Sequence, residues 1–196
     1  MPELPEVETV CRGLTPVLEG SKILKIILRH QNLRFPIADG FVQMLVGKQV
    51  LSIKRRAKFI LIIFTDETVL IAHLGMSGSF RVYRDERPPI HKHDHVVFVI
   101  SSDREVRYHD PRRFGFMILT KKADLKHNSM LKKLGPEPIA PNIDGPTLAA
   151  RLQGRNGPIK SVLLNQTVVA GIGNIYACEI LNSAKISPKR KAYTVR

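Results

Sequence analysis

Phe59-Ile60-Leu61-Ile62-Ile63-Phe64, a break at Asp66-Glu67, then Val69-Leu70-Ile71-Ala72-His73: this stretch decides the fold. Two short apolar runs rich in β-branched residues, with turn residues between them, read as paired strands rather than helix. The same signature recurs on either side. Ile23–Leu28 and Val50–Ile53 precede it, and Phe80–Tyr83, His95–Ile100, Val106–His109 and Phe116–Leu119 follow. Asp39-Gly40, Ser102-Asp103 and Asp110-Pro111 supply further turns. Many short strands at close spacing predict a β-sandwich or flattened barrel, not alternating βαβ units.

Before the strands, residues 4–19 carry Val7, Val10, Cys11, Leu14 and Leu18 at helical spacing and stop at Gly20. This predicts an amphipathic helix packed on the sandwich, holding Pro2 and Glu3 over one edge. The character changes after Leu134, where Gly135-Pro136-Glu137-Pro138-Ile139-Ala140-Pro141 reads as an extended linker. Helical patterns follow at Pro146–Leu152, Ile159–Gln166 and Asn174–Ser183, with Pro146 and Pro158 at first-turn positions. The expected class is α+β: an N-terminal β-sandwich domain over 1–133, a linker over 134–145, and a partial all-α domain over 146–196.

The chain of 196 residues carries a formal net charge of +14. From Pro146 onward, eight basic residues face the single acid Glu179, so half of that surplus lies in the last quarter. Such a balance points to a polyanionic partner, above all nucleic acid. No apolar run reaches the length of a membrane span, and the acidic N-terminus lacks the order of a signal peptide. Cys11 and Cys178 are far apart and not in CxxC spacing, which fits a reducing, cytoplasmic setting and excludes an all-cysteine zinc site. No metal ligands are assigned.

Pro2 carries the chemistry. Once the initiator methionine is removed, it presents a secondary amine with Glu3 beside it. An α-amino group titrates near ~7.7–8.0 against ~10.4 for lysine, so roughly a tenth of such termini are unprotonated at neutral pH. An unprotonated amine attacks an electrophilic sugar carbon and forms a Schiff base. His73-Leu74-Gly75-Met76-Ser77-Gly78-Ser79 presents Met76 on a glycine-flanked loop, and Asp110-Pro111-Arg112-Arg113-Phe114-Gly115 presents an arginine and an aromatic on a tight turn. Met, Phe and Arg are residue types that wedge into a base stack and replace an extruded base. Their bland alternative is core filling by Met76 and packing by Phe114. Arg55-Arg56-Ala57-Lys58-Phe59 places a lysine just before an apolar strand. It can bind phosphate or act as an acid at a cleft mouth, or simply be a solvated strand end. Gly157-Pro158-Ile159-Lys160 and Ala170-Gly171-Ile172-Gly173-Asn174-Ile175-Tyr176 suggest two helices joined by a glycine turn whose N–H groups suit a phosphate.

In this order these blocks, with Pro2–Thr9, Lys92-His93-Asp94-His95 and Leu134–Pro138, resemble the bacterial formamidopyrimidine-DNA glycosylases along the whole chain. The resemblance implies a helix–two-turn–helix second domain and a bifunctional glycosylase and abasic-site lyase. It would remove 8-oxoguanine and formamidopyrimidines by β,δ-elimination. Pro2 would be the nucleophile, Glu3 would move protons at the sugar, Lys58 would bind phosphate and assist elimination, and Glu6 would belong to the network behind them. Met76, Arg112 and Phe114 would fill the vacated stack, with Arg112 bonding the orphaned cytosine. His93, Arg112, Arg155, Lys160 and Asn174 would contact DNA. The partner implied is double-stranded DNA with oxidised purines or abasic sites, bound by a monomer. The endonuclease-VIII-type relatives, which prefer oxidised pyrimidines, typically begin Pro-Glu-Gly-Pro-Glu; Leu4 favours the purine branch.

The family pattern continues for some seventy further residues, with a lesion-closing loop and a four-cysteine zinc finger. Neither is expected in this chain, so impaired turnover is expected, because lost phosphate contacts weaken binding steeply at physiological salt. A non-catalytic DNA-binding fragment is the alternative from a different class. An RNA- or ribosome-associated basic protein leaves the set Pro2, Glu3, Lys58 and Met76 unexplained.

Overall fold

The computed structural model describes residues 2–139, 141 and 143–195. Ala140 and Asn142, inside the expected linker, lie outside the described residues, as do Met1 and Arg196. Two compact units divide the chain, Met1–Lys126 and His127–Arg196.

The first unit opens with helix α1 (Leu4–Leu18). Glu3 and Glu6 close a reciprocal capping box, in which the Glu6 carboxylate accepts the Glu3 N–H at 2.9 Å. Its buried face is Leu4, Val7, Cys11, Leu14, Val17 and Leu18, the stripe expected from the sequence with Leu4 and Val17 added and Val10 only partly buried. Strands β1 (Ile23–Leu28), β2 (Val50–Arg56), β3 (Phe59–Phe64), β4 (Thr68–His73), β5 (Ser79–Tyr83), β6 (Asp94–Ile100), β7 (Arg104–His109) and β8 (Phe116–Lys121) follow, with the short helix α2 (Phe41–Leu45) between β1 and β2. They form two antiparallel sheets of four, ordered β1-β6-β7-β5 and β2-β3-β4-β8. Alternate residues Ile60, Ile62 and Phe64 of one sheet and Val96, Phe98 and Ile100 of the other share one core, joined by Val7, Cys11 and Leu14 from α1. The period of two along each strand puts these side chains on a common face. The expected sandwich with a leading helix is the observed architecture.

Two local readings change. Asp39-Gly40 is not a simple strand turn: Gly40, at φ 78°, caps α2, whose Phe41 and Leu45 are buried. A five-residue helix is too short for its periodicity to be seen. In the second unit, α3 (Gly145–Leu152), α4 (Ile159–Leu163) and α5 (Asn174–Ser183) are present, but α4 ends before the expected Gln166. The Asn165 carboxamide accepts from the Thr167 N–H at 3.0 Å and its hydroxyl at 2.8 Å, an Asx turn that competes with the helix. The start of the expected linker is packed: the Gly135 N–H donates to Gln166 O at 2.8 Å and the Ala170 N–H to Pro136 O at 2.9 Å.

One buried ion cluster spans β6 and β7. Arg107, fully buried, donates to the Glu105 carboxylate, to Pro88 O at 2.8 Å and to Asp94 Oδ2 at 3.4 Å. Its guanidinium lies 4.4 Å from the Tyr83 ring centroid. Truncating one member strands the others in a low-dielectric interior. Arg107→Ala is expected to cost about 3–5 kcal/mol in denaturant unfolding; a loss below about 1 kcal/mol contradicts this.

Candidate DNA-lesion site

Lys58 sits at the tip of the β2–β3 hairpin, where Arg56 pairs with Phe59 and Ala57 takes φ 51°. Arg55 fixes that tip: its guanidinium donates to Ala57 O at 3.1 Å and to the Glu8 carboxylate on α1 at 2.8 Å. One side chain therefore ties the hairpin to the helix that begins just after Pro2. Lys58 is 7% exposed, and Glu3, at 1%, is deeper still. Burial pushes the Lys58 ammonium below its ordinary pKa, while the fields of Glu3 and Glu6 oppose that shift. The structure thus brings Lys58, Glu3 and Glu6 together at the head of α1 beside Pro2. The solvated-strand-end reading of Lys58 does not hold.

The two wedge loops meet at Asp110. This carboxylate is fully buried and accepts from Ser77 Oγ at 2.5 Å, the Gly115 N–H at 2.8 Å, the Arg112 N–H at 3.3 Å and the Tyr108 hydroxyl at 3.3 Å. Glycine is required where the loops press together. A Cβ on Gly115 would lie 1.7 Å from the Tyr108 oxygen, and one on Gly75 would lie 2.4 Å from the Phe114 carbonyl carbon. Held this way, Met76 and Phe114 are each 44% exposed, which overturns the core-filling and packing readings. The Arg112 guanidinium covers the Phe114 ring at 4.6 Å. An open recess beside them is lined by Asn32, Leu33, Arg34, Arg112, Arg113 and Phe114. Half-buried His93 precedes β6, and its carbonyl accepts the Asp110 N–H at 3.0 Å.

His73, inside the Met76 motif, carries no role that its sequence pattern shows. Its Nδ1 accepts the Gly75 N–H at 3.0 Å, and its ring stacks on Phe116 at 5.2 Å. Burial, then the positive fields of Lys58 and Arg34, pushes its pKa down to about 4. Arg34 likewise escaped the sequence reading, because an isolated basic residue in a loop carries no pattern.

In the second unit, Asn174 is exposed as the first residue of α5, at the positive end of its dipole. Gln166, unremarked in the sequence, shapes the preceding turn: its side chain accepts the Gly171 N–H at 2.8 Å and donates to Ile172 O at 2.9 Å, with Gly171 at φ 101°. Arg155 is half-buried and donates to Arg151 O at 2.8 Å. Lys160 lines a groove with Cys178, Asn182 and Lys185. The zinc that the resemblance brings with it does not fit these residues. Two cysteines cannot supply four thiolates; Cys11 is buried, with its thiol pushed up to about 11 by desolvation, and Cys178 is exposed. No helix among the described residues is long and apolar enough to cross a membrane.

Residues 1–117 match the formamidopyrimidine-DNA glycosylase N-terminal domain, and residues 134–196 match the H2TH domain of the same enzymes. A formamidopyrimidine-DNA glycosylase of Methylocella silvestris is 47% identical over 98% of this chain and 69% of its own length. One from Rhizobium leguminosarum is 45% identical, covering 100% of this chain and 71% of the relative. The solved complex of Lactococcus lactis Fpg with abasic-site DNA superposes with a TM-score of 0.91 at 36% identity, over 99% of this chain and 71% of that one. These are DNA-repair glycosylases by sequence and by fold. The chain belongs to the formamidopyrimidine-DNA glycosylase family and spans about seven-tenths of the length of these relatives.

Two outcomes are expected. Asp110→Ala leaves several buried donors without an acceptor and should lower stability by at least about 2 kcal/mol; an unchanged Tm refutes this. Between pH 6.5 and about 4 an unfolded His73 is protonated while the folded one is not. Its contribution to stability is therefore complete above that window and is lost as pH falls through it. His73→Asn, which keeps an acceptor for the Gly75 N–H, should flatten the acid-side slope of Tm against pH.

Proposed function

We propose that this protein excises oxidised purines from double-stranded DNA and cleaves the resulting abasic site, using Pro2 as nucleophile. One observation carries the reading: Pro2 stands at the head of α1 next to buried Glu3, with Lys58 held in the fields of Glu3 and Glu6. The solved Lactococcus lactis Fpg complexes, with abasic-site DNA and with DNA containing FAPY-dG, support the partner and the lesion class. The +14 charge supports it too. The unpaired cysteines fit a reducing cytoplasm.

The chemistry follows from an amine in a buried acidic setting. The Pro2 nitrogen lone pair forms a bond to C1′ of the flipped nucleotide, and the glycosidic bond breaks, its electrons leaving with the base, which takes up a proton. Glu3, beside the nucleophile, takes the Pro2 N–H proton and delivers it to the sugar ring oxygen as the ring opens. The product is an iminium, because Pro2 is a secondary amine; it carries a full positive charge and draws electrons from C2′. Transfer of the C2′ proton to the regenerated Glu3 carboxylate then expels the 3′ phosphate. Lys58 holds a phosphate near the lesion, at an ammonium that burial makes a better proton donor than a solvated lysine. Met76 and Phe114 fill the space in the stack, and Arg112 pairs with the orphaned cytosine. His93, Arg155, Lys160 and Asn174 hold the phosphate backbone.

Borohydride reduces the iminium to a stable amine. With duplex containing 8-oxoguanine opposite cytosine, the chain should form a covalent adduct that blocking the Pro2 amine abolishes and Pro2→Gly, which leaves a primary amine, reduces; Glu3→Gln should lower base release by about a hundredfold or more. Salt-sensitive DNA binding without any trapped adduct would overturn the catalytic reading in favour of a non-catalytic DNA-binding protein.

A further inference from the structure

Among the described residues, three ligating side chains gather around the start of β6 and the end of β7. His91, Asp94 and His109 each place one donor atom within 4.8 Å of the other two. Backbone pairing sets two of the three: Asp94 and His109 are direct partners across β6 and β7, and their side chains meet, His109 Nδ1 to Asp94 Oδ1, at 2.8 Å. His91 is placed by the turn before β6, where its N–H donates to Asp94 Oδ2 at 2.9 Å and its carbonyl accepts the Asp94 N–H at 2.9 Å.

We propose that His91, Asp94 and His109 form a binding site for one divalent transition-metal ion of the zinc class. Two imidazoles and one carboxylate are donors that such ions prefer over calcium or magnesium. Three protein ligands leave a position for water. Metal–nitrogen and metal–oxygen bonds of ~2.0–2.2 Å require the donors to draw slightly closer than they stand. The exposed His91 side chain supplies that movement and the entry route, while Asp94 and His109 stay fixed in the ladder.

The local charge is compatible with a cation. Arg107 approaches Asp94 at 3.4 Å, but it also pairs with Glu105, so the three charged groups sum to one negative charge before any ion binds. The His93 ring lies 5.2 Å from His91 and 5.8 Å from His109 but is not one of the three donors. This set is separate from any four-cysteine zinc centre. Its position has a mechanical consequence: His109 immediately precedes Asp110, so an ion on these ligands clamps the strand ends beneath the turn that presents Arg112 and Phe114.

Cobalt(II) titration of the tag-free chain tests this directly. We expect one equivalent to bind with visible d–d absorption and no thiolate charge-transfer band. His91→Ala keeps the backbone bonds of the turn and should weaken binding by about tenfold or more, whereas Cys178→Ser should leave it unchanged. Zinc should raise the Tm of the unaltered chain and not that of His91→Ala. Unchanged affinity in His91→Ala, or a thiolate band that disappears in Cys178→Ser, would overturn the assignment.

Discussion

A buried carboxylate organises the two loops that carry Met76, Arg112 and Phe114. Asp110, at the end of β7, satisfies a hydroxyl from the Met76 loop and backbone N–H groups from the Arg112–Phe114 turn. A charged acceptor in a low-dielectric site makes stronger hydrogen bonds than a neutral one, and it cannot be left short of donors. Both loops are therefore committed to one arrangement. Close approach then demands glycine at 75, 78 and 115, and Arg113 accepts φ 55°. Exposed Met76 and Phe114 are the outcome of that constraint, not of local preference. An apolar side chain held out into water by a rigid base is ready to enter a base stack without first being ordered.

The head of α1 relies on a second long-range tie of the same kind. Arg55 joins the β2–β3 hairpin tip to Glu8 of α1, which ties the tip carrying Lys58 to the helix start carrying Glu3 and Glu6. Glu3 and Glu6 also serve as a helix cap, which makes the acidic start of the chain both a structural terminus and an electrostatic setting. Under the proposed function, stability and chemistry draw on the same carboxylates.

Much of the fold was legible in sequence because it is local. The eight β-branched runs became eight strands, shifted at their ends by up to three residues, and the apolar stripe of residues 4–18 became α1. Helix α2 was missed because five residues do not establish a period, and α4 was overextended because the Asn165 side chain diverts the backbone. The proline-rich start of the expected linker hides its backbone pairing with the Gln166–Ala170 segment, which no composition rule reveals. At the candidate site, Pro2, Glu3, Lys58, Met76, Arg112 and Phe114 were legible as a family pattern. Asp110, Arg55, His73 and Gln166 fall within those motifs without a role, since each acts by holding another group.

By itself the sequence determined the strands, the leading helix, the basic charge and the candidate nucleophile, because periodicity, turn residues and composition act over a few neighbours. Tertiary structure decided which polar groups are satisfied inside. Ser77 meets Asp110 across 33 positions and Glu8 meets Arg55 across 47, pairings set by sheet register and helix docking. It also decided that Met76 and Phe114 face solvent, and that His91 and Asp94 meet a histidine on the neighbouring strand. Side chains so far apart in the chain become neighbours through the ladder between strands, and local sequence preference does not encode that ladder's register.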